Sequence, residues 1–104
     1  MKKLMTAVGC GVAFAALSVE MPTGGICAHR GDRAEFPENT VPAFLSAVKK
    51  GAAMVEFDVT RCATGELVVM HDPTIDRTTT GTGVVERLTF DYLRSVDAGV
   101  MKDP

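Results

Sequence analysis

Five side chains in this sequence carry the functional groups of a phosphoryl-transfer site: His29, Arg30, Glu56, Asp58 and His71. Each histidine directly follows a short apolar run, and the two carboxylates lie two residues apart. An imidazole exchanges protons near neutral pH, an arginine fork binds phosphate oxygens, and paired carboxylates bind a hard divalent cation. The combination favours metal-assisted phosphoryl chemistry, although each group alone also fits a structural role.

The first part of the chain predicts a strand followed by a helix. The apolar run 25–28 has the pattern of a buried strand and ends at a glycine turn. Asn39 or Thr40 supplies the N-cap of the helix, and Gly51 ends it. Four apolar residues at helical spacing form one stripe on that helix: Val41, Phe44, Leu45 and Val48.

The carboxylate pair lies in the next apolar segment, residues 53–59. Period-two alternation predicts one strand over this segment, with Glu56 and Asp58 on the same face. Both carboxylates would then reach one cation. The alternative is an exposed polar face, which the apolar character of the segment disfavours.

The rest of the chain predicts a strand, a long loop and a second helix. Residues 67–70 form the apolar strand, and a threonine- and glycine-rich stretch follows it. Thr89 caps the short helix, with Leu88 and Leu93 at the two positions of a hydrophobic staple.

The order of elements predicts an α/β fold. A strand–helix–strand start implies a parallel pair joined by a crossover helix. Since sites form at the carboxyl ends of parallel strands, we expect both histidines, the arginine and the carboxylates to meet at one rim. The chain is far shorter than the ~250 residues of a complete barrel, so we expect the opening βα units of a larger fold.

Composition excludes several classes of protein. The 104 residues allow one small domain at most, and 11 basic against 13 acidic residues leave no cationic excess for nucleic acid. Three cysteines are too few for a disulfide scaffold. We expect Cys27 to be a small hydrophobe in a buried strand, with pairing to Cys62 as the alternative.

The N-terminus predicts export to the periplasm or the medium. Lys2 and Lys3 precede sixteen residues without a charge, Leu4–Val19, and small residues suit a signal peptidase. We therefore expect a secretory signal over residues 1–18 and the domain over residues 19–104. An uncleaved anchor, a lipoprotein signal cleaved before Cys10 and a helix packed under the domain are the alternatives. We expect no stable membrane span once the signal is removed.

Together the motifs resemble the N-terminal part of the glycerophosphodiester phosphodiesterases. Any one motif is weak, whereas seven in order are highly specific. They are His29-Arg30-Gly31, Pro37-Glu38-Asn39-Thr40, Glu56-Phe57-Asp58-Val59, His71-Asp72-Pro73, Asp76-Arg77-Thr78-Thr79, Gly81-Thr82-Gly83 and Asp97-Ala98-Gly99.

The resemblance implies a TIM-barrel hydrolase that splits small glycerophosphodiesters, such as glycerophosphocholine, into glycerol 3-phosphate and an alcohol. It implies a divalent cation, calcium or magnesium, held by Glu56 and Asp58. His29 and His71 would form the acid/base pair, with His71 favoured as the proton donor to the leaving group. Arg30 would contact the phosphate.

Two neighbouring carboxylates, Glu38 and Asp72, each have two interpretations. Glu38 either orients His29 or Arg30, or it is a carboxylate favoured at a helix N-terminus. Asp72 is either a turn former or a partner of the catalytic groups. Asp76 and Arg77 are expected to shape the loop rather than touch substrate.

The family's further acidic metal ligand and a lysine near the phosphate come from later strands. We therefore expect the 104 residues alone to have little or no activity. The alternatives are an inactive remnant of the family, a related phospholipase C or a sphingomyelinase D. A zinc module built from Cys27, His29, Cys62 and His71 is disfavoured, because the spacings do not resemble a zinc finger.

Overall fold

The computed structural model describes residues 6–7 and 20–99. The strands are β1 (Thr6–Ala7), β2 (Cys27–His29), β3 (Met54–Glu56), β4 (Val59–Arg61) and β5 (Leu67–Val69). The helices are α1 (Val41–Lys49) and α2 (Phe90–Ser95), and a 3₁₀ turn covers Val85–Arg87. Apart from Thr6–Ala7, the predicted export signal lies outside the described residues. No helix in residues 20–99 is long and apolar enough to cross a bilayer.

The first half of the fold is a crossover unit, residues 25–58. β2 and β3 pair in parallel, with Cys27 opposite Met54 and His29 opposite Glu56. α1 connects the two strands, so the predicted parallel pair with a crossover helix is confirmed.

Local sequence signals determine both ends of α1. Thr40 is the N-cap, and its hydroxyl accepts a hydrogen bond from the backbone of Ala43. Lys50 is the C-cap, and Gly51 follows with a φ of +92°, a conformation that favours glycine. The predicted boundaries of this helix are confirmed, with Thr40 rather than Asn39 as the cap.

The apolar stripe of α1 is largely uncovered in these residues. The buried side chains of the helix are Ala43 and Ala47, whereas Leu45 and Val48 are 65% and 60% exposed. Gly31 packs so closely on α1 that an added Cβ would lie 2.8 Å from the Cβ of Ala43. The small residues therefore face inward, and most of the predicted stripe faces outward.

The loop before α1 is fastened to the helix by one carboxylate. Asp32 accepts hydrogen bonds from the Ser46 hydroxyl and the Lys50 ammonium, both at 2.7 Å. The Asp32 backbone also donates to the carbonyl of Ala43 at 2.9 Å. These contacts fix the segment that carries Glu38.

The predicted single strand over residues 53–59 is wrong, because the chain changes sheets within it. β3 ends at Glu56, and β4 begins at Val59 in a second sheet of order β1-β5-β4. β4 and β5 form an antiparallel hairpin, with Val59 opposite Val69 and Arg61 opposite Leu67. Residues 57–58 join the two sheets.

Residues 59–99 form a hairpin unit with its own core. Its buried cluster contains Cys62, Val68, Met70, Ile75, Val85, Leu93, Val96 and Ala98. Thr89 caps α2 by accepting a hydrogen bond from the backbone of Tyr92, as predicted. Leu88 and Leu93 both pack into this core.

The two described cysteines are free. Cys62 is buried, but Cys27 is exposed, so the prediction of a buried Cys27 is wrong. β2 has one partner strand in the described residues, which leaves its other edge uncovered.

Candidate functional site

His29 and Glu56 lie opposite each other at the carboxyl ends of β2 and β3. His29 Nε2 is 3.9 Å from Glu56 Oε2, and both side chains are partly exposed. The parallel register produces this contact, because the two strands end at the same edge of their sheet. An exposed imidazole and carboxylate are therefore available to a ligand at this edge.

Arg30 connects both predicted metal ligands. Its backbone N–H donates to the Glu56 carbonyl at 2.9 Å and lies 3.3 Å from Glu56 Oε2. Its side-chain Nε lies 3.2 Å from Asp58 Oδ2. Arg30 adopts a left-handed backbone conformation, with a φ of +59°, which turns the chain back toward these carboxylates.

Asn39 is a site residue that sequence reasoning considered only as a helix cap. Its amide Nδ2 donates to Asp58 Oδ2 at 3.0 Å, and its backbone N–H donates to the Arg30 carbonyl at 3.0 Å. Its φ of +57° is also left-handed, a conformation that asparagine tolerates better than most residues. The signal that could have identified Asn39 as a site residue is its position in the Pro-Glu-Asn-Thr motif.

The polar groups around Asp58 have unused bonding capacity. Within residues 20–99, the buried side-chain polar atoms without a hydrogen-bond partner are Arg30 Nε and Asn39 Oδ1. The Arg30 Nε contact with Asp58 is an ion pair that is not aligned as a hydrogen bond. Since buried polar groups are normally satisfied, this deficit is typical of a place where a ligand completes the bonding.

The residues present fit a hard divalent cation in part. Glu56 and Asp58 are oxygen donors gathered around Arg30, and Mg²⁺ commonly uses one or two carboxylates together with water and substrate phosphate. No group of three or more His, Cys, Asp or Glu side chains in the described part of the chain could hold a metal ion. Among the described residues we therefore assign two carboxylate ligands, Glu56 and Asp58, and the disfavoured zinc cluster of Cys27, His29, Cys62 and His71 is not among the groups found there.

His71 is connected to this region through ion pairs and not, as predicted, by a neighbouring parallel strand. The strand before it, β5, is antiparallel and belongs to the hairpin sheet, so the expected parallel neighbour is wrong. His71 Nδ1 is 2.7 Å from Asp72 Oδ1. His71 also lines a cavity of about 230 Å³ together with Thr60, Pro73, Val84 and Glu86.

A chain of ion pairs connects His71 with Arg30. Asp72 binds Arg77, Arg77 binds Glu38, and Glu38 Oε1 accepts from Arg30 Nη1 at 3.4 Å. Hydrogen bonds from Arg77 hold the pKa of Glu38 below its ordinary range and lower the pKa of Asp72 to about 2. The sequence gives no local signal for this link, because Glu38 and Arg77 are 39 residues apart.

The fold and site define a class: an α/β protein with histidine, arginine and carboxylates gathered at one edge. The model of the glycerophosphoryl diester phosphodiesterase family matches residues 29–104. The chain belongs to this family, as its motifs indicated.

Similar proteins support the assignment. The chain is 47% identical over 75 residues to a glycerophosphodiester phosphodiesterase from Caldanaerobacter subterraneus. The aligned region covers 72% of this chain and 31% of that protein. A crystal structure of such an enzyme from Agrobacterium tumefaciens aligns with a TM-score of 0.71 and 44% identity, covering 72% of this chain and 32% of that one.

An Oleispira antarctica phosphodiesterase solved with the product sn-glycerol-3-phosphate aligns with a TM-score of 0.70 and 36% identity. The match covers 73% of this chain and 31% of that protein. The fold is thus the opening α/β part of these barrel proteins, and the chain spans about a third of the length of these relatives.

Proposed function

We propose that this chain supplies the acid/base, phosphate and metal groups of a phosphodiesterase that acts on small glycerophosphodiesters. Glycerophosphocholine is a representative substrate, with glycerol 3-phosphate and an alcohol as products. The observation that carries the proposal is the parallel register that sets His29 beside Glu56, with Arg30 joining Glu56 to Asp58. The product named for the Oleispira antarctica relative supports the substrate class.

Each group has a chemical role in the proposal. Glu56 and Asp58 would hold a calcium or magnesium ion, which when bound offsets the charge of the phosphate. The Arg30 guanidinium contacts the phosphate of the substrate, since the arginine fork matches the geometry of phosphate oxygens. Both histidines lie at exposed positions from which they can exchange protons with a ligand.

Proton transfer is divided between the two histidines. His29 accepts a proton from a water molecule as the water oxygen bonds to phosphorus, and His71 donates a proton to the alcohol oxygen as its bond to phosphorus breaks. His71 suits the donor role because Asp72 engages Nδ1 and leaves Nε2 for the leaving group. Export through residues 1–18 is part of the proposal and places this reaction outside the cytoplasm.

The test is release of glycerol 3-phosphate from glycerophosphocholine with calcium or magnesium. We would assay this chain alone and a chimera in which its residues 25–99 replace the matching third of the Agrobacterium tumefaciens enzyme. We expect an active chimera and little or no turnover by the chain alone. His29→Ala and His71→Ala should each lower kcat of the chimera by about 10²–10⁴-fold, the usual contribution of acid/base groups.

Controls separate the roles. Glu56→Gln should shift the metal concentration needed for activity, whereas Arg87→Gln, an exposed change in the hairpin unit, should leave the rate unchanged. An inactive chimera that folds correctly would refute the proposal. A near-normal rate in either histidine variant would refute the acid/base assignment.

A further inference from the structure

We propose that Arg77 is a positioning residue for His71, acting through Asp72 and anchored by Glu38. The inference rests on the proposed function and assigns a role to a residue that the motif analysis left to loop shape. Within residues 20–99, Arg77 forms ion pairs with Glu38 and Asp72 and not with the proposed metal ligands.

The geometry around Arg77 is a double fork. Nε and Nη2 lie 2.7 and 3.0 Å from the two oxygens of Asp72. Nη2 and Nη1 lie 2.7 and 3.0 Å from the two oxygens of Glu38. Such two-point, charge-assisted contacts fix the plane of each carboxylate as well as its position.

Asp72 transmits this geometry to the imidazole. Its Oδ1 binds both Arg77 Nη2 and His71 Nδ1. The Asp72 carboxylate is ionised at neutral pH and can only accept hydrogen bonds, and the hydrogen bonds from Arg77 lower its pKa further, to about 2. His71 Nδ1 must therefore carry a hydrogen, and Nε2 remains for proton exchange with the substrate.

Because Arg77 also binds Glu38, its contacts connect the hairpin unit with the crossover unit. Glu38 belongs to the loop that Asp32 fastens to α1, its side chain is 9% exposed, and it also contacts Arg30. Through Arg77, the position of His71 in the hairpin unit is tied to the position of Arg30 in the crossover unit. Acid and phosphate-binding groups on different sheets thus keep a fixed separation.

The loop that carries Arg77 also has a buried side chain and hydrogen bonds that do not involve Arg77. Ile75 is fully buried, and its backbone N–H donates to the Gly83 carbonyl at 3.0 Å. The Thr79 hydroxyl donates to the Ile75 carbonyl at 2.8 Å, and Gly83 donates to Asp76 at 3.0 Å. A change at Arg77 should therefore alter His71 before it alters the loop.

The first experiment is a ¹⁵N NMR measurement of histidine tautomers in this chain, which contains two histidines, His29 and His71. The variant Arg77→Lys retains the charge and removes the fork, and Arg87→Gln is the matched exposed control. We expect one Nδ1–H tautomer of His71 in the unsubstituted chain and in the control. Arg77→Lys should give a mixture of tautomers and leave His29 unchanged.

The second experiment measures kinetics in the chimera described above. Arg77→Lys should lower kcat by about 10–100-fold, the scale of losses when outer groups that orient metal-binding histidines are changed. KM should stay within about threefold, because Arg77 does not contact substrate in the proposal. In an Asp72→Asn background, Arg77→Lys should add little further loss, since both changes break the same connection.

Three results would overturn the inference. They are an unchanged His71 tautomer in Arg77→Lys, additive kinetic losses in the double variant, and unfolding of the hairpin unit by Arg77→Lys, which would make the residue structural. An inactive unsubstituted chimera would instead count against the proposed function, while the tautomer measurement would still test Arg77.

Discussion

The crossover unit and the hairpin unit bury their apolar residues to different extents. In the hairpin unit, Ile75, Val85 and Leu93 are fully buried among residues of the same unit. In the crossover unit, Leu45, Val48 and Phe57 remain exposed, although the unit holds four of the five predicted site residues. The unit that holds most of the proposed site residues is thus the one less able to cover its own apolar surface.

The difference follows from topology. A β-hairpin brings sequence neighbours together and lets one loop close over them, so its core is local. A parallel sheet needs helices on both faces, and one crossover helix covers part of one face. The match covers about a third of each solved relative, so about two thirds of their length lies outside it.

The largest effect on this comparison should come from the core of the hairpin unit. Ile75→Ala should lower the free energy of unfolding by about 2–5 kcal/mol, because it leaves a cavity among fully buried side chains. Leu45→Ala, at a 65% exposed position of α1, should change it by less than about 0.5 kcal/mol. Urea unfolding measures both values, and equal losses would contradict the difference between the units.

A smaller effect should follow where the crossover unit is tightly packed. Gly31→Ala places a Cβ 2.8 Å from the Cβ of Ala43 and should cost about 1–3 kcal/mol beyond backbone strain. Gly65→Ala is the matched control, because Gly65 also has a positive φ but an added Cβ meets nothing within 4 Å. If the two variants were equally stable, the close contact between Gly31 and α1 would have no energetic weight.

The smallest effect concerns pH and the contact between the units. The folded state lowers the pKa of Asp72 from an ordinary 3.8 to about 2 through Arg77, and it lowers the pKa of Glu38 in the same direction. These groups therefore stabilise the fold above about pH 4, and that contribution is lost as the pH falls toward 2. Asp72→Asn should remove about 1–2 kcal/mol at pH 7 and flatten the acid side of the curve.

Acid titration of unfolding, followed by circular dichroism, measures this effect. Glu20→Gln, at an exposed position outside both units, is the control and should leave the curve unchanged. A steep acid transition that persists in Asp72→Asn would show that other carboxylates dominate the pH dependence.

The sequence by itself determined the features that depend on near neighbours. The Thr40 and Thr89 caps, the stop at Gly51 and the parallel crossover follow from contacts within a few residues or from the order of elements. The family motifs also identified His29, Arg30, Glu56, Asp58 and His71 as candidates, and the structure gathers the first four around one strand edge.

Tertiary structure decided the rest, because the deciding contacts join residues far apart in the sequence. Alternation over residues 53–59 could not show that the chain leaves one sheet at Glu56 and enters another at Val59, since both strands are apolar. Nor could it show that Arg77 pairs with Glu38, 39 residues away. Burial and ion pairing depend on which surfaces meet, and those surfaces exist once the two units have packed together.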